Sequence, residues 1–150
     1  MGKDVNAPLR KAYITLIGGL TYEGSAVKVY DGFAPDSVNV GVQSFLYCEV
    51  KDQTSNDSTR TKNVLSYDST ILINIYYGVM GGGGRKKCDD IADMIYDDVV
   101  TVSGNGIDLS GYNLDIVTTN VVSDLTNTFS TKSHKVWVRS IRLRHQISEL

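Results

Sequence analysis

Cysteine, proline, histidine and tryptophan are all scarce in this sequence, with two, two, two and one copies in 150 residues. Each scarcity excludes something. Cys48 and Cys88 fall on a predicted strand and a predicted helix with no second ligand at metal spacing, so the chain offers neither a disulfide scaffold nor a zinc site. Both read as reduced core thiols. His134 and His145 stand near no serine or cysteine in a nucleophile setting, and Gly-x-Ser-x-Gly, His-Glu-x-x-His, Cys-x-x-Cys and dinucleotide fingerprints are absent. No catalytic residue, metal ligand or cofactor contact is therefore expected. No apolar run approaches the roughly 18 residues of a membrane span, and the polar stretch from Met1 to Lys11 lacks the apolar core of a signal peptide. A protein folded in the cytoplasm, without a membrane partner, is the expectation. Charge of one sign is also missing: 15 basic against 17 acidic residues leave a net charge of -2, which gives nucleic acid no general electrostatic hold.

What the chain does contain is pattern. Hydrophobic residues make up 41% and charged residues 21%, ordinary values for one globular domain covering residues 1–150. Asn6 reads as a helix cap and Pro8 as its first turn, followed by Leu9, Ala12, Tyr13, Leu16 and Ile17 on one face. Gly18 and Gly19 end that helix. Val27 to Tyr30 is a short β-prone run, and Gln43 to Val50 is an aromatic and β-branched strand. Its expected partner is Asp68 to Tyr77, where Ile71, Ile73 and Ile75 share a face. The intervening Lys51 to Tyr67 is rich in Ser, Thr, Asn, Asp and Lys; it reads as a projecting loop or hairpin, with Asp57, Arg60 and Lys62 as candidate contacts. Gly81 to Gly84 forms a joint before a helix over Arg85 to Val100, whose Cys88, Ile91, Ala92, Ile95 and Val99 fall in one apolar arc. Tyr112 to Ser123 reads as a strand, Asn127 to Ser133 as a polar turn, and Lys135 to Ile147 as the last and longest strand, long enough to reach onto another subunit. The sum is an α+β fold: a mixed or mainly antiparallel sheet flanked by two helices.

Three polar clusters invite chemistry, and each has a plainer alternative. The glycine run before Arg85, Lys86 and Lys87 resembles a phosphate cradle, but a phosphate loop needs Ser or Thr after its lysine, and Cys88 follows here. A strand-to-helix hinge is the simpler reading. Asp89, Asp93 and Asp97, at i, i+4 and i+8, make a carboxylate stripe that is a solvated helix face, a subunit contact or a channel lining that repels DNA. Arg139, Arg142 and Arg144, with Lys132 and Lys135, form the one strongly basic region. Three roles are open for them: charges guarding a sheet edge, partners for a neighbour's acidic helix, or phosphate contacts.

The runs Ala7-Pro8-Leu9-Arg10-Lys11-Ala12-Tyr13, Val27-Lys28-Val29-Tyr30-Asp31-x-x-Ala34-Pro35 and Phe45-Leu46-Tyr47 resemble the opening of the tail-completion, or tail terminator, proteins of tailed bacteriophages. The later order of strand, glycine-containing loop, helix and late strands is similar too. The resemblance implies a ring-forming subunit in the virion, with a hexamer favoured and a dodecamer as the other option. Such a ring ends tail-tube polymerisation and contacts the tail tube protein and the head or neck connector, while genomic DNA passes through its lumen without specific binding. A neck or portal adaptor ring is the nearest alternative, and a nucleic-acid-binding module using the basic strand is a further one. The long 51–67 segment and Gly81 to Gly84 depart from the commoner family pattern.

Overall fold

The structure, a computed structural model, describes residues 4–35, 42–60, 65–100 and 106–150. It is an α+β domain with two helices, α1 (Asn6–Gly18) and α2 (Lys86–Val99). A two-stranded hairpin, β1 (Thr21–Tyr22) and β2 (Ser25–Ala26), precedes a five-stranded sheet of β3 (Val29–Asp31), β4 (Ser44–Arg60), β5 (Leu65–Val79), β6 (Leu114–Ser130) and β7 (Lys135–Glu149). The sheet order is β3-β4-β5-β7-β6, with β3 parallel to β4 and every other pair antiparallel. The mixed sheet and two flanking helices are as the sequence patterns imply.

Both helices pack on one face of the sheet. Leu9, Tyr13 and Ile17 of α1 and Cys88, Ile91, Ala92, Ile95 and Val99 of α2 are buried there against Ile71, Ile73 and Ile75 of β5 and Ile141, Leu143 and Ile147 of β7. The apolar arc read from the α2 sequence is therefore the buried arc. Burying each such aliphatic side chain contributes about 1.5–3 kcal/mol before the entropy of ordering is counted.

Several elements differ from the sequence reading. Asp4, not Asn6, supplies the oxygen at the start of α1: its Oδ1 accepts from the backbone N–H of Asn6 at 3.0 Å and of Ala7 at 3.4 Å. Asn6 turns to the sheet instead, where its Oδ1 accepts from Ser69 Oγ at 2.9 Å. The segment read as a loop, 51–67, is mostly strand, because β4 continues to Arg60 and pairs with β5 from Leu65 onward. The polar side chains of Asp52 and of residues 54–56 are exposed to water, while the backbone groups of the paired residues are satisfied by the ladder. Asp57 and Arg60 lie on β4, and Lys62 is outside the described residues. Strand β6 likewise runs through Asn127 to Ser130, where a turn was expected, since pairing with Lys135 to Val138 holds it extended. Residues of β4 and β6 span 17 positions each against 15 for β7, so the last strand is not the longest.

A buried polar chain fixes α1 on the sheet. Nδ1 of His145 lies 3.0 Å from the Ser69 carbonyl, which only accepts, so Nδ1 carries the proton. Nε2 is then the acceptor for the Tyr13 hydroxyl at 2.5 Å. His145 is thus neutral, and burial pushes its pKa down to about 4. The unfolded chain binds this proton near pH 6.5, so the site contributes its full stability above that value and loses it as pH falls towards 4. Urea unfolding should show a loss of roughly 3 kcal/mol across that window. Replacing His145 by Gln should remove this slope; a slope equal to that of the unaltered chain would reject the assignment.

Candidate assembly surface

Strand β7 is an inner strand, flanked by β5 and β6, so its arginines do not guard a sheet edge. The arginine at 139 points to the helix-covered face, where Nη1 donates to Asp89 at 2.8 Å and Nη2 to Asp124 at 2.6 Å. The Tyr96 hydroxyl donates to the same Asp124 at 2.6 Å. One guanidinium therefore joins α2, β6 and β7. It holds the Asp124 carboxyl below the usual carboxylate range. Arg144 pairs with Asp68 at 2.6 Å, and Arg142 reaches Thr70 Oγ1 at 3.4 Å, both on the opposite face. The acidic stripe and the basic strand thus meet inside one chain at Asp89 and Arg139, whereas Asp93 and Asp97 remain exposed.

The cations at the start of α2 are also matched within the chain. Arg85 pairs with Asp89 at 3.3 Å, Lys86 with Asp90 at 2.8 Å, and Lys87 with Glu23 at 2.6 Å. Near neighbours of opposite charge offset the unfavourable interaction of three cations with the helix dipole. Gly81 takes a left-handed φ of 93°, which lets the chain turn from β5 towards α2.

No helix covers the second face of the sheet among the described residues. Phe45, Tyr47 and Val136 form a small cluster there with Tyr30, Ala34, Tyr76 and Val138. The Tyr47 and Tyr76 rings stack at 4.9 Å, and Phe45 lies over Gly78, where a Cβ would overlap its ring. A hollow of about 350 Å³ opens beside this cluster, lined by Phe45, Tyr76, Phe129 and His134 among others. His134 is held in place by its Nε2 on the Val42 carbonyl at 2.8 Å and its Nδ1 on Ser133 Oγ at 2.6 Å. Glu49 is buried on this face, accepting from the Ala34 N–H at 2.6 Å with Lys51 at 3.4 Å. Burial and Glu49 together push the Tyr76 hydroxyl up to about 12.

Among the described residues, the outer edge of β6 exposes a row of apolar side chains. Its 17 residues include Asp115 and Asp124 but no lysine, arginine or proline, the residues that usually blunt an edge. Val117, Val122, Leu125 and Phe129 are 51%, 54%, 57% and 49% exposed. Register shifts between Ile116 and Thr118 and between Val121 and Ser123 mark bulges at Val117 and Val122. These apolar residues were missed in the sequence because the bulges break strict alternation; the absence of basic residues across the run was the available signal. Comparison with protein-family models gives no match for this chain, and comparison with curated proteins gives none either.

Truncating Arg139 to Ala would leave two carboxylates on a half-buried surface without their shared cation. The expected loss is roughly 2 kcal/mol, between the exposed and buried limits for ion pairs. Urea midpoints would read it, and an unchanged midpoint would show that the network does not contribute. Placing Ala at Gly78 should displace Phe45 and lower stability by about 1–3 kcal/mol, visible in the same titration and in the near-ultraviolet circular dichroism of the aromatic cluster.

Proposed function

We propose that this chain is a structural subunit of a tailed-bacteriophage virion, forming a ring that ends the tail tube and joins it to the head or neck. The observation that carries the proposal is the open, apolar, cation-free edge of β6, which is a surface suited to burial against another protein chain. The resemblance of the opening runs to tail-completion proteins supplies the setting, and the α+β architecture is compatible with it. A closed ring uses heterologous contacts, in which one patch meets a different patch on the next copy. A neck or portal adaptor ring would use the same surfaces. The nucleic-acid reading has less support, because Arg139 and Arg144 already pair with carboxylates.

Native mass spectrometry over a range of concentration and salt tests the assembly. The expected result is a discrete multiple of 16.4 kDa, with six copies favoured, and a ring with an axial channel in electron micrographs. A monomer at every concentration, or tight and steeply salt-dependent DNA binding, would overturn the reading.

A further inference from the structure

Among the described residues, the two edges of the sheet are open in complementary ways. At one end of the order stands β6, and at the other stands β3, which pairs with β4 on one side only. Strand β3 runs parallel to β4, β4 antiparallel to β5, β5 antiparallel to β7, and β7 antiparallel to β6. Strands β3 and β6 therefore point in opposite directions. A copy placed beside the first in the same orientation would set its β3 antiparallel to the neighbour's β6, the pairing that open edges accept.

Height and charge agree with this placement. Cross-strand partners run in one row from Asp31 through Val50, Ile73 and Ile141 to Asp124, so β3 lies level with the part of β6 beyond the second bulge. That part, Ser123 to Ser130, pairs residue by residue with β7, and it carries the exposed Leu125 and Phe129. Just after β3, Phe33 is 83% exposed. On the β6 flank, Asp89, Asp93, Asp97 and Asp124 stand with Arg85 and Arg139, four carboxylates against two cations. On the β3 flank, Arg10 pairs with Asp31, Lys51 pairs with Glu49 and Lys28 is exposed, three cations against two carboxylates.

We infer that copies of this chain join head to tail, the β6 edge of one adding antiparallel to the β3 edge of the next, so that one sheet continues across the boundary. This rests on the assembly reading above and names its contact. Pairing β6 with β6 across a two-fold axis would bring two acidic flanks together, which disfavours that arrangement. Asp31 and Asp124 share a row, and each already has its own guanidinium, Arg10 and Arg139, so the two carboxylates are neutralised where the strands meet. Leu125 and Phe33 are the apolar residues that the contact covers.

Mixing two blocked variants tests the direction of the contact. One carries V122K and L125K on β6, and the other carries K28E and F33E beside β3. Each should be monomeric in native mass spectrometry, because each lacks one half of the heterologous contact. Mixed, they should form a dimer of about 33 kDa, two copies of 16.4 kDa, and nothing larger, since one intact half remains on each. Circular dichroism checks that both fold, and L125S with F33S repeats the experiment without new charge if either does not. Assembly of the β6 variant as in the unaltered chain, or a mixture that stays monomeric, overturns the inference while the ring reading stands. Dimers of the β3 variant alone would assign an isologous β6 contact instead. A monomeric unaltered chain would overturn both.

Discussion

Everything in this fold depends on β5 being paired on both sides along nearly its whole length. Its alternation gives Ile71, Ile73 and Ile75 to the helices and Leu72, Asn74 and Tyr76 to the other face, and a slip of one residue would exchange the two sets. With that register fixed, β4 and β7 take their faces from it, and the helices have one apolar surface on which to dock. The polar chain from Asn6 through Ser69 and His145 to Tyr13 then selects where α1 lies on that surface. A hydrophobic arc alone would tolerate sliding; directed hydrogen bonds do not.

Among the described residues the two helices cover one side of the sheet, α1 over β3 and β4 and α2 over β5 and β7, and the consequences divide the molecule. Under the helices the charges that remain are neutralised locally, as Arg139 does for Asp89 and Asp124. Beyond them, β6 leaves valine, leucine and phenylalanine side chains in water on both sides of an open edge. A monomer gains nothing from that arrangement, whereas an assembly gains buried area and backbone hydrogen bonds at once.

How much of this was legible in the sequence follows from which forces decide each element. The arc of α2 and the buried isoleucines of β5 were readable because periodicity alone places them. The extent of β4 and β6 was not, because Ser, Thr and Asn in strands 51–60 and 127–130 are held by partners distant in sequence. The pairing of Asp89 with Arg139 spans 50 positions, and only the topology brings those residues together. The cap at Asp4 was displaced from the expected Asn6 because Asn6 had a tertiary partner in Ser69. Local pattern thus identified faces and helices, while long-range pairing set lengths, edges and ion pairs.

The two thiols have a practical consequence. Cys48 and Cys88 are both fully buried; burial raises the pKa of each, that of Cys88 to about 12, so little thiolate forms near neutral pH. They are the only cysteines in the chain. The folded protein is consequently silent towards maleimide and similar probes. A cysteine introduced anywhere on its surface becomes the sole reactive handle, ready for a fluorophore or spin label without first stripping the native thiols from the core.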